Sequence, residues 1–256
     1  MPEASEKGGD MFKGYNIVIT GANSGIGLES ARIFLNQGAR VFGLDLRFRD
    51  VEELGERFVP LICDVTDIVQ IREAAAIIAE QTDCIDVLIT NAGKTFLDTI
   101  ERLNYKKVDS CYNLHLKHHL MLIKEILPLL KKSKYANIVC IGSIAGSLAT
   151  PEEISYGMMK EATVHLVRSC AASFDSIRCN AVCPGVIRTH LMSSYMFDIL
   201  EESERIKNLP MRRLGKPEEV AKLIAFLASE KAKGISGAVV TIDGGYSLDQ
   251  PQINIL

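Results

Sequence analysis

Residues 16–27 read NIVITGANSGIG: five β-prone residues (Asn16–Thr20), a turn holding three glycines, and then an amphipathic stretch, Leu28–Gln37, closed by Gly38. A continuous apolar run, rather than apolar–polar alternation, is what a strand covered on both faces requires. The same unit recurs outward from this stretch. Further strands are expected at Arg40–Leu46, Phe58–Cys63, Ile85–Thr90, Asn137–Ile141, Ile177–Val182 and Ala238–Ile242. Helices are expected at Asp67–Gln81, about Leu103 to Lys132, Tyr156–Phe174 and Pro217–Ser229. Strands alternating with helices predict an α/β fold, a doubly wound parallel sheet of seven strands with helices on both faces. Pro60 puts the third strand at or near an edge, because it has no N–H for a ladder. Asp67 suits a helix N-cap and Pro217 a first helical turn. No repeat or linker divides the chain, so one domain is expected over residues 14–256, behind a polar arm, residues 1–13.

The 256 residues are 47% hydrophobic and 24% charged, with 19 Gly and 8 Pro, which excludes a disordered chain, a collagen-like repeat and a coiled coil. The formal net charge of −3 lacks the basic surplus of a protein that neutralises phosphates, so no nucleic-acid partner is expected. The seven Cys form no CxxC pair, and most lie in apolar runs such as NIVCIGS (137–143). They read as small core residues in a reducing compartment, with neither a disulfide framework nor a zinc site. The opening MPEASEKGGDMFK has no apolar core of a signal peptide, and no run reaches the ~18 apolar residues of a membrane span. A cytoplasmic protein with no membrane partner is expected.

In a doubly wound sheet, ligands bind beyond the carboxyl ends of the strands. The turn after the first strand suits a dinucleotide pyrophosphate. Gly21 permits the tight turn, Gly25 admits a phosphate to the backbone, and Gly27 lets the helix lie close to the strand, its free N–H groups facing the phosphates. An ordinary glycine-rich loop is the competing explanation, weakened by the strand–turn–helix setting. Asp45 ends the second strand 18 positions after Gly27, where an acidic residue accepts hydrogen bonds from an adenosine ribose. A carboxylate there repels a 2′-phosphate and favours NAD over NADP; Arg47 and Arg49 keep NADP open as the second choice, and a simple strand-end role for Asp45 also stays open. Tyr156 and Lys160 stand four apart on one helix face. A nearby ammonium lowers a phenol's pKa, which makes the pair a general acid/base. Ser143, 13 positions before Tyr156, sets a hydroxyl at the end of the fifth strand, beside the expected cofactor.

These pieces resemble the short-chain dehydrogenase/reductase family, over essentially the whole chain after residue 10. The matching segments are TGANSGIG, Asp64-Val65, Asn91-Ala92-Gly93, Asn113, Ser143, YGMMK, IRCNAVCPGVIRT (177–189) and RLGKPEEVA…FLAS…ISGAVVTIDGG. The resemblance implies a Rossmann-type sheet and an NAD-dependent oxidoreductase that moves hydride between nicotinamide and a secondary alcohol, sugar hydroxyl or ketone. It implies Tyr156 as the acid/base, Lys160 lowering its pKa and holding the nicotinamide ribose, Ser143 holding the substrate oxygen, and Asn113 maintaining a water relay to Lys160. Asn113 is otherwise a helix amide satisfying local backbone. Gly21, Asn23, Ser24, Gly25, Ile26, Gly27 and Asp45 are implied at the cofactor's adenosine half, with Asp64 and Val65 at adenine. Asn91, Ala92 and Gly93 would line its middle, while Pro184, Gly185, Ile187 and Thr189 would lie at the carboxamide end. The alternative activity is an NADPH-dependent carbonyl or 3-oxoacyl-carrier-protein reductase. A rival of another class, a nucleotide-binding regulator that kept the fold without turnover, is disfavoured by the intact Ser143, Tyr156 and Lys160.

The chain departs from the family pattern at Met158 and Met159, where small residues are usual, and in a short segment between the second and third strands. It is also a residue or two short between Lys160 and Arg178. The family is usually tetrameric, so a homotetramer is expected. Residues 191–209, rich in Met and aromatic groups, resemble a lid over a partly apolar substrate pocket, although core packing explains them equally. His115, His118 and His119 share a helix face and could share a metal, but without a Cys or carboxylate partner a solvated or interface face is expected and no metal site. Cys179 and Cys183 are expected in the core.

Overall fold

A computed structural model describes residues 10–189 and 209–248. Seven parallel strands form one sheet: β1 (Asn16–Thr20), β2 (Arg40–Asp45), β3 (Phe58–Ile62), β4 (Val87–Thr90), β5 (Asn137–Ile141), β6 (Arg178–Pro184) and β7 (Val239–Ile242), in the order β3-β2-β1-β4-β5-β6-β7. The direction of winding reverses between β1 and β4, and this opens a crevice at their carboxyl ends. The helices are α1 (Gly25–Asn36), α2 (Ile68–Gln81), α3 (Tyr105–Tyr112), α4 (His118–Leu130), α5 (Ile154–Ser173) and α6 (Pro217–Ala228). Among the described residues, no helix is long and apolar enough to cross a membrane.

Strand side chains alternate between two cores, as pleating dictates. Val18, Leu88, Ile138 and Cys140 meet Ile71, Ile78, Leu122, Ile126, Val164 and Val167 from α2, α4 and α5. Ile17, Ile19, Val87, Ile89, Val139 and Ile141 meet Ala31, Phe34, Val220, Ile224 and Leu227 from α1 and α6. Gly43 of β2 is needed where it stands. A Cβ there would lie 2.5 Å from the Phe58 ring, which covers the strand from β3. β3 is the edge strand that Pro60 foretold, and Asp67 caps α2 by accepting from the Val69 N–H at 2.8 Å.

Phe12 is fully buried and lies edge-on to Phe34, so the packed body begins inside the arm assigned to residues 1–13. Burial of that ring contributes about 2–3 kcal/mol. All seven cysteines are free; five are buried, including Cys179 and Cys183, while Cys84 and Cys170 are half-buried. The long helix expected from Leu103 to Lys132 is interrupted. Residues Asn113–Lys117 form a π turn between α3 and α4, with the His118 N–H donating to the Asn113 carbonyl.

Candidate active site

The glycine turn is shaped by what it must approach. Gly21, at φ +68°, lies so close to β4 that an added Cβ would stand 2.8 Å from Asn91 Nδ2 and 3.0 Å from Ala92 Cα. Gly27 has no room at all, because its Cβ would fall 2.1 Å from the Gly21 carbonyl oxygen. Gly25, at φ +54°, faces the Thr189 methyl at 3.3 Å from its missing Cβ, so the segment after β6 reaches across to the turn. The loop after β4 locks on from the other side. Asn91 Nδ2 donates to the Thr20 carbonyl, and the Asn91 and Ala92 N–H groups both donate to Thr20 Oγ1, each at 2.9 Å. Ser24 is the N-cap residue of α1 but makes no capping hydrogen bond, and the first turn carries no acidic residue. That leaves the first N–H groups of α1 available to an anion.

Asp45 Oδ2 accepts from the Asn23 N–H at 3.1 Å, and Oδ1 from the Leu46 N–H at 2.8 Å, so its carboxylate stands at the mouth of the glycine turn. Asn23 Oδ1 in turn accepts from the Arg49 N–H at 3.0 Å. At the neighbouring strand end, Asp64 Oδ1 accepts from both the N–H and the hydroxyl of Thr66, and Val65 is buried. Across β6, the Gly185 N–H donates to the Ile242 carbonyl at 3.0 Å, and Ile187 bridges Gly215. Glycines close to the backbone, an uncapped helix start and a carboxylate at the mouth of the turn fit a dinucleotide.

The acid/base group sits at the carboxyl end of β5. Two glycines bring its halves together: a Cβ on Gly157 would be 2.6 Å from the Ala145 carbonyl oxygen, and one on Gly146 would be 2.9 Å from the Glu161 N. The short turn after Ser143 therefore lies directly on α5, and Ser143, whose Oγ accepts from the Ala145 N–H at 3.2 Å, stands near the Tyr156 phenol. Lys160 is buried, with Nζ donating to the Ile141 carbonyl at 2.8 Å and standing 5.6 Å from the centre of the Tyr156 ring. Burial pushes the phenol up to about 12, only partly offset by the nearby Ser143 hydroxyl. Burial also pulls the Lys160 amine down to about 8. The direction expected for Tyr156 from the Lys160 spacing is thus reversed. The amine lies over the ring rather than at the hydroxyl, and desolvation outweighs it.

The three helix histidines are buried inside the fold, on neither the solvated nor the interface face expected for them. His119 Nδ1 hydrogen-bonds Thr90 Oγ1 at 2.6 Å, and His118 Nδ1 bonds the Leu114 carbonyl. Burial lowers all three imidazoles, His115 to about 2 and His118 to about 3. Among the described residues, no group of His, Cys, Asp or Glu is arranged to hold a metal.

Ser143, Tyr156 and Lys160 converge at the carboxyl end of β5, Asp45, Asn91, Ala92 and Thr189 meet the glycine turn, Gly93 packs on His115, and Gly185 and Ile187 follow β6. Asn113 opens the π turn. Its half-buried side chain makes no hydrogen bond among the described residues, and the side chain that reaches Tyr156 from this segment is His115, two positions on. A water relay to Lys160, the role expected of Asn113, requires no direct bond from its side chain to Tyr156. Asp98, also missed, holds the start of α5 through Ser155. The expected lid falls, except for Leu209, outside the described residues, as does the tail beyond Leu248.

A family model described as enoyl-(acyl carrier protein) reductase matches residues 21–247. The chain is 33% identical over 246 residues to the 3-oxoacyl-(acyl-carrier-protein) reductase FabG of Thermotoga maritima, covering 91% of this chain and 98% of that protein. It is 31% identical over 259 residues to the 7alpha-hydroxysteroid dehydrogenase of Bacteroides fragilis, covering 96% and 99%. Ligand-free aldohexose dehydrogenase of Thermoplasma acidophilum superposes with a TM-score of 0.87 at 30% identity, covering 95% of this chain and 98% of that one.

Proposed function

Because this chain belongs to the short-chain dehydrogenase/reductase family, we propose that it is an NAD-dependent oxidoreductase acting on a secondary alcohol, a sugar hydroxyl or the corresponding ketone. The observation that carries the reading is the grouping of Ser143, Tyr156 and Lys160 at the carboxyl end of β5, with Lys160 Nζ 5.6 Å from the centre of the Tyr156 ring and bonded to the Ile141 carbonyl. When bound, the nicotinamide supplies or accepts hydride at the substrate carbon. This chain's part is the proton. Tyr156 Oη takes it from the alcohol or gives it to the nascent alkoxide, and Ser143 Oγ holds that oxygen in place. Lys160, its Nζ 5.6 Å from the centre of the Tyr156 ring, would hold the nicotinamide ribose.

Substrate is sought by following NADH absorbance over a panel of alcohols and sugars. Tyr156→Phe is expected to lower kcat by about 10²–10⁴-fold while NADH still binds. Full activity in that variant would exclude the assignment.

NAD is preferred because a 2′-phosphate would meet the Asp45 carboxylate beside Asn23. A second reading, an NADPH-dependent 3-oxoacyl-carrier-protein or other carbonyl reductase, is favoured by the Thermotoga relative and by Arg49, whose N–H is bonded to Asn23 at the same turn. Comparing NADH with NADPH affinity in wild type and Asp45→Ala separates the two. The preferred reading expects NADPH to gain in the variant.

A homotetramer is proposed with it. A groove of about 850 Å³ runs along the outer side of α5, lined by Leu148, Pro151, Ile154 and the half-exposed Met158, and suits another subunit. A solution mass at the monomer value would refute this. Seven unpaired thiols support a cytoplasmic location.

A further inference from the structure

The π turn Asn113–Lys117 delivers to the acid/base group a side chain that the mechanism above does not use. The His115 ring lies edge-on to Tyr156, with centres 5.0 Å apart and planes at 88°, and edge-on to Phe96 at 5.6 Å and 84°. Its Nε2 stands 2.7 Å from the Lys94 carbonyl oxygen. A carbonyl oxygen only accepts, so Nε2 carries the hydrogen and Nδ1 is bare. The Lys94 N–H, 3.5 Å from Nε2, is too distant to compete.

Three elements hold this residue. Lys94 belongs to the loop after β4 that also lines the crevice. The His115 carbonyl accepts from Thr163 Oγ1 at 2.9 Å, on α5 just beyond Lys160. Gly93 closes the remaining side, since a Cβ there would stand 2.8 Å from His115 Cε1 and 3.3 Å from Nδ1. Among the described residues the buried Nδ1 has no hydrogen-bond partner, so this nitrogen adds nothing to the packing energy. A phenylalanine would fill the same space without burying a polar atom. What the imidazole adds over a phenylalanine is the tether to Lys94, which fixes the plane of a ring set against Tyr156.

We propose that His115 is a positioning residue for Tyr156: pinned to the Lys94 carbonyl, its ring fixes the phenol at the carboxyl end of β5, near Ser143. This rests on Tyr156 being the acid/base. Misplacement of a reacting group by about 1 Å costs up to about 10²-fold in rate, which sets the size of effect to be expected.

The test uses the best alcohol of the panel with NAD, and fluorescence titration with NADH as a reading independent of turnover. His115→Ala is expected to lower kcat by about 10–100-fold, with the substrate KM and the NADH Kd within about threefold of wild type. His115→Phe keeps the ring but drops the tether, and is expected to lose about tenfold in kcat with the same Kd. If the alanine variant fails to bind NADH, the phenylalanine variant decides. In a Tyr156→Phe background, His115→Phe should produce no further loss, because its effect passes through the phenol. Unchanged kcat in His115→Phe, or an equal loss in both backgrounds, would overturn the proposal. Retained activity in Tyr156→Phe alone would instead remove the acid/base reading on which it rests.

Discussion

Asp98 accepts twice from Ser155, the residue preceding Tyr156: Oδ1 takes the Ser155 N–H at 3.0 Å and Oδ2 takes its hydroxyl. Both residues are buried, and the Asp98 N–H donates to the Glu152 carbonyl at 2.9 Å, so the loop after β4 is stitched to the first turn of α5. The N-cap residue of α5, Glu153, makes no capping hydrogen bond, and Asp98 serves the exposed helix start in its place. Asp98→Ala strands the buried Ser155 hydroxyl and N–H. It should cost about 1–3 kcal/mol of stability and, by loosening the turn that carries Tyr156, about tenfold in kcat. Thermal unfolding and steady-state kinetics check the two effects separately. A loss of stability with full kcat would show that Asp98 does not reach the phenol.

Asp98 also shows where sequence reading stops. The strand Asn137–Ile141, the Asp67 cap, the edge position of Pro60 and the glycine turn were legible because each is a local rule acting on adjacent residues. The Asp98–Ser155 bond joins residues 57 positions apart, and nothing in either neighbourhood announces it. The π turn is similar. It sets the His115 ring against Tyr156, 41 positions away, and no local pattern announces that contact. The histidine face was read correctly as one face from its spacing. Its burial depended on Thr90, Leu114 and Lys94 being there to receive imidazole nitrogens.

Gly157 follows Tyr156, and its missing side chain is what lets the Ser143 turn lie on α5. A Cβ 2.6 Å from the Ala145 carbonyl oxygen cannot be accommodated without moving backbone. Gly157→Ala should therefore separate Ser143 from Tyr156, lowering kcat more than tenfold, and cost about 1–3 kcal/mol through overpacking. The gain in helix propensity of up to about 1 kcal/mol does not offset this. NADH titration should remain near wild type, since the glycine turn is untouched. A stabilised, fully active Gly157→Ala protein would contradict the contact.

Lys160 is expected to trade stability for function. In the unfolded chain its amine keeps a proton up to about its ordinary 10.5, whereas in the fold burial brings it to about 8. Between those values the unfolded state holds more protons, so stability rises with pH from 8 to 10.5, and below 8 the full penalty of a buried ammonium is present. Lys160→Met removes that penalty. At neutral pH it should gain about 1–3 kcal/mol, less whatever the lost bond to the Ile141 carbonyl contributed, while turnover falls by at least about 10²-fold. Urea unfolding at pH 7 and pH 9.5 reads the sign. The gain should shrink at the higher pH, and a loss of stability at pH 7 would show the ammonium to be well compensated.

Acid should unfold this protein through its three buried imidazoles as well as through its hydrogen-bonded carboxylates. His115 and His118 are held near 2 and 3 against an ordinary 6.5, and His119 also lies well below it. Burial is the first cause for each, followed for His115 by the Lys160 ammonium and for His119 by His118. A group whose folded value is depressed adds stability above its unfolded value and loses it as pH falls. Here the unfolded chain takes up protons below about 6.5 that the fold cannot. Each histidine should then cost about 1.4 kcal/mol per pH unit on descending from 6.5, giving an unfolding free energy that drops steeply between pH 6 and 4.5. Urea unfolding at stepped pH measures the slope. His118→Phe should reduce it by about one third while leaving stability at pH 8 within about 2 kcal/mol, since it exchanges one buried ring for another of similar volume. An unaltered slope would mean that His118 takes a proton inside the fold, and that its ring is hydrated there rather than dry.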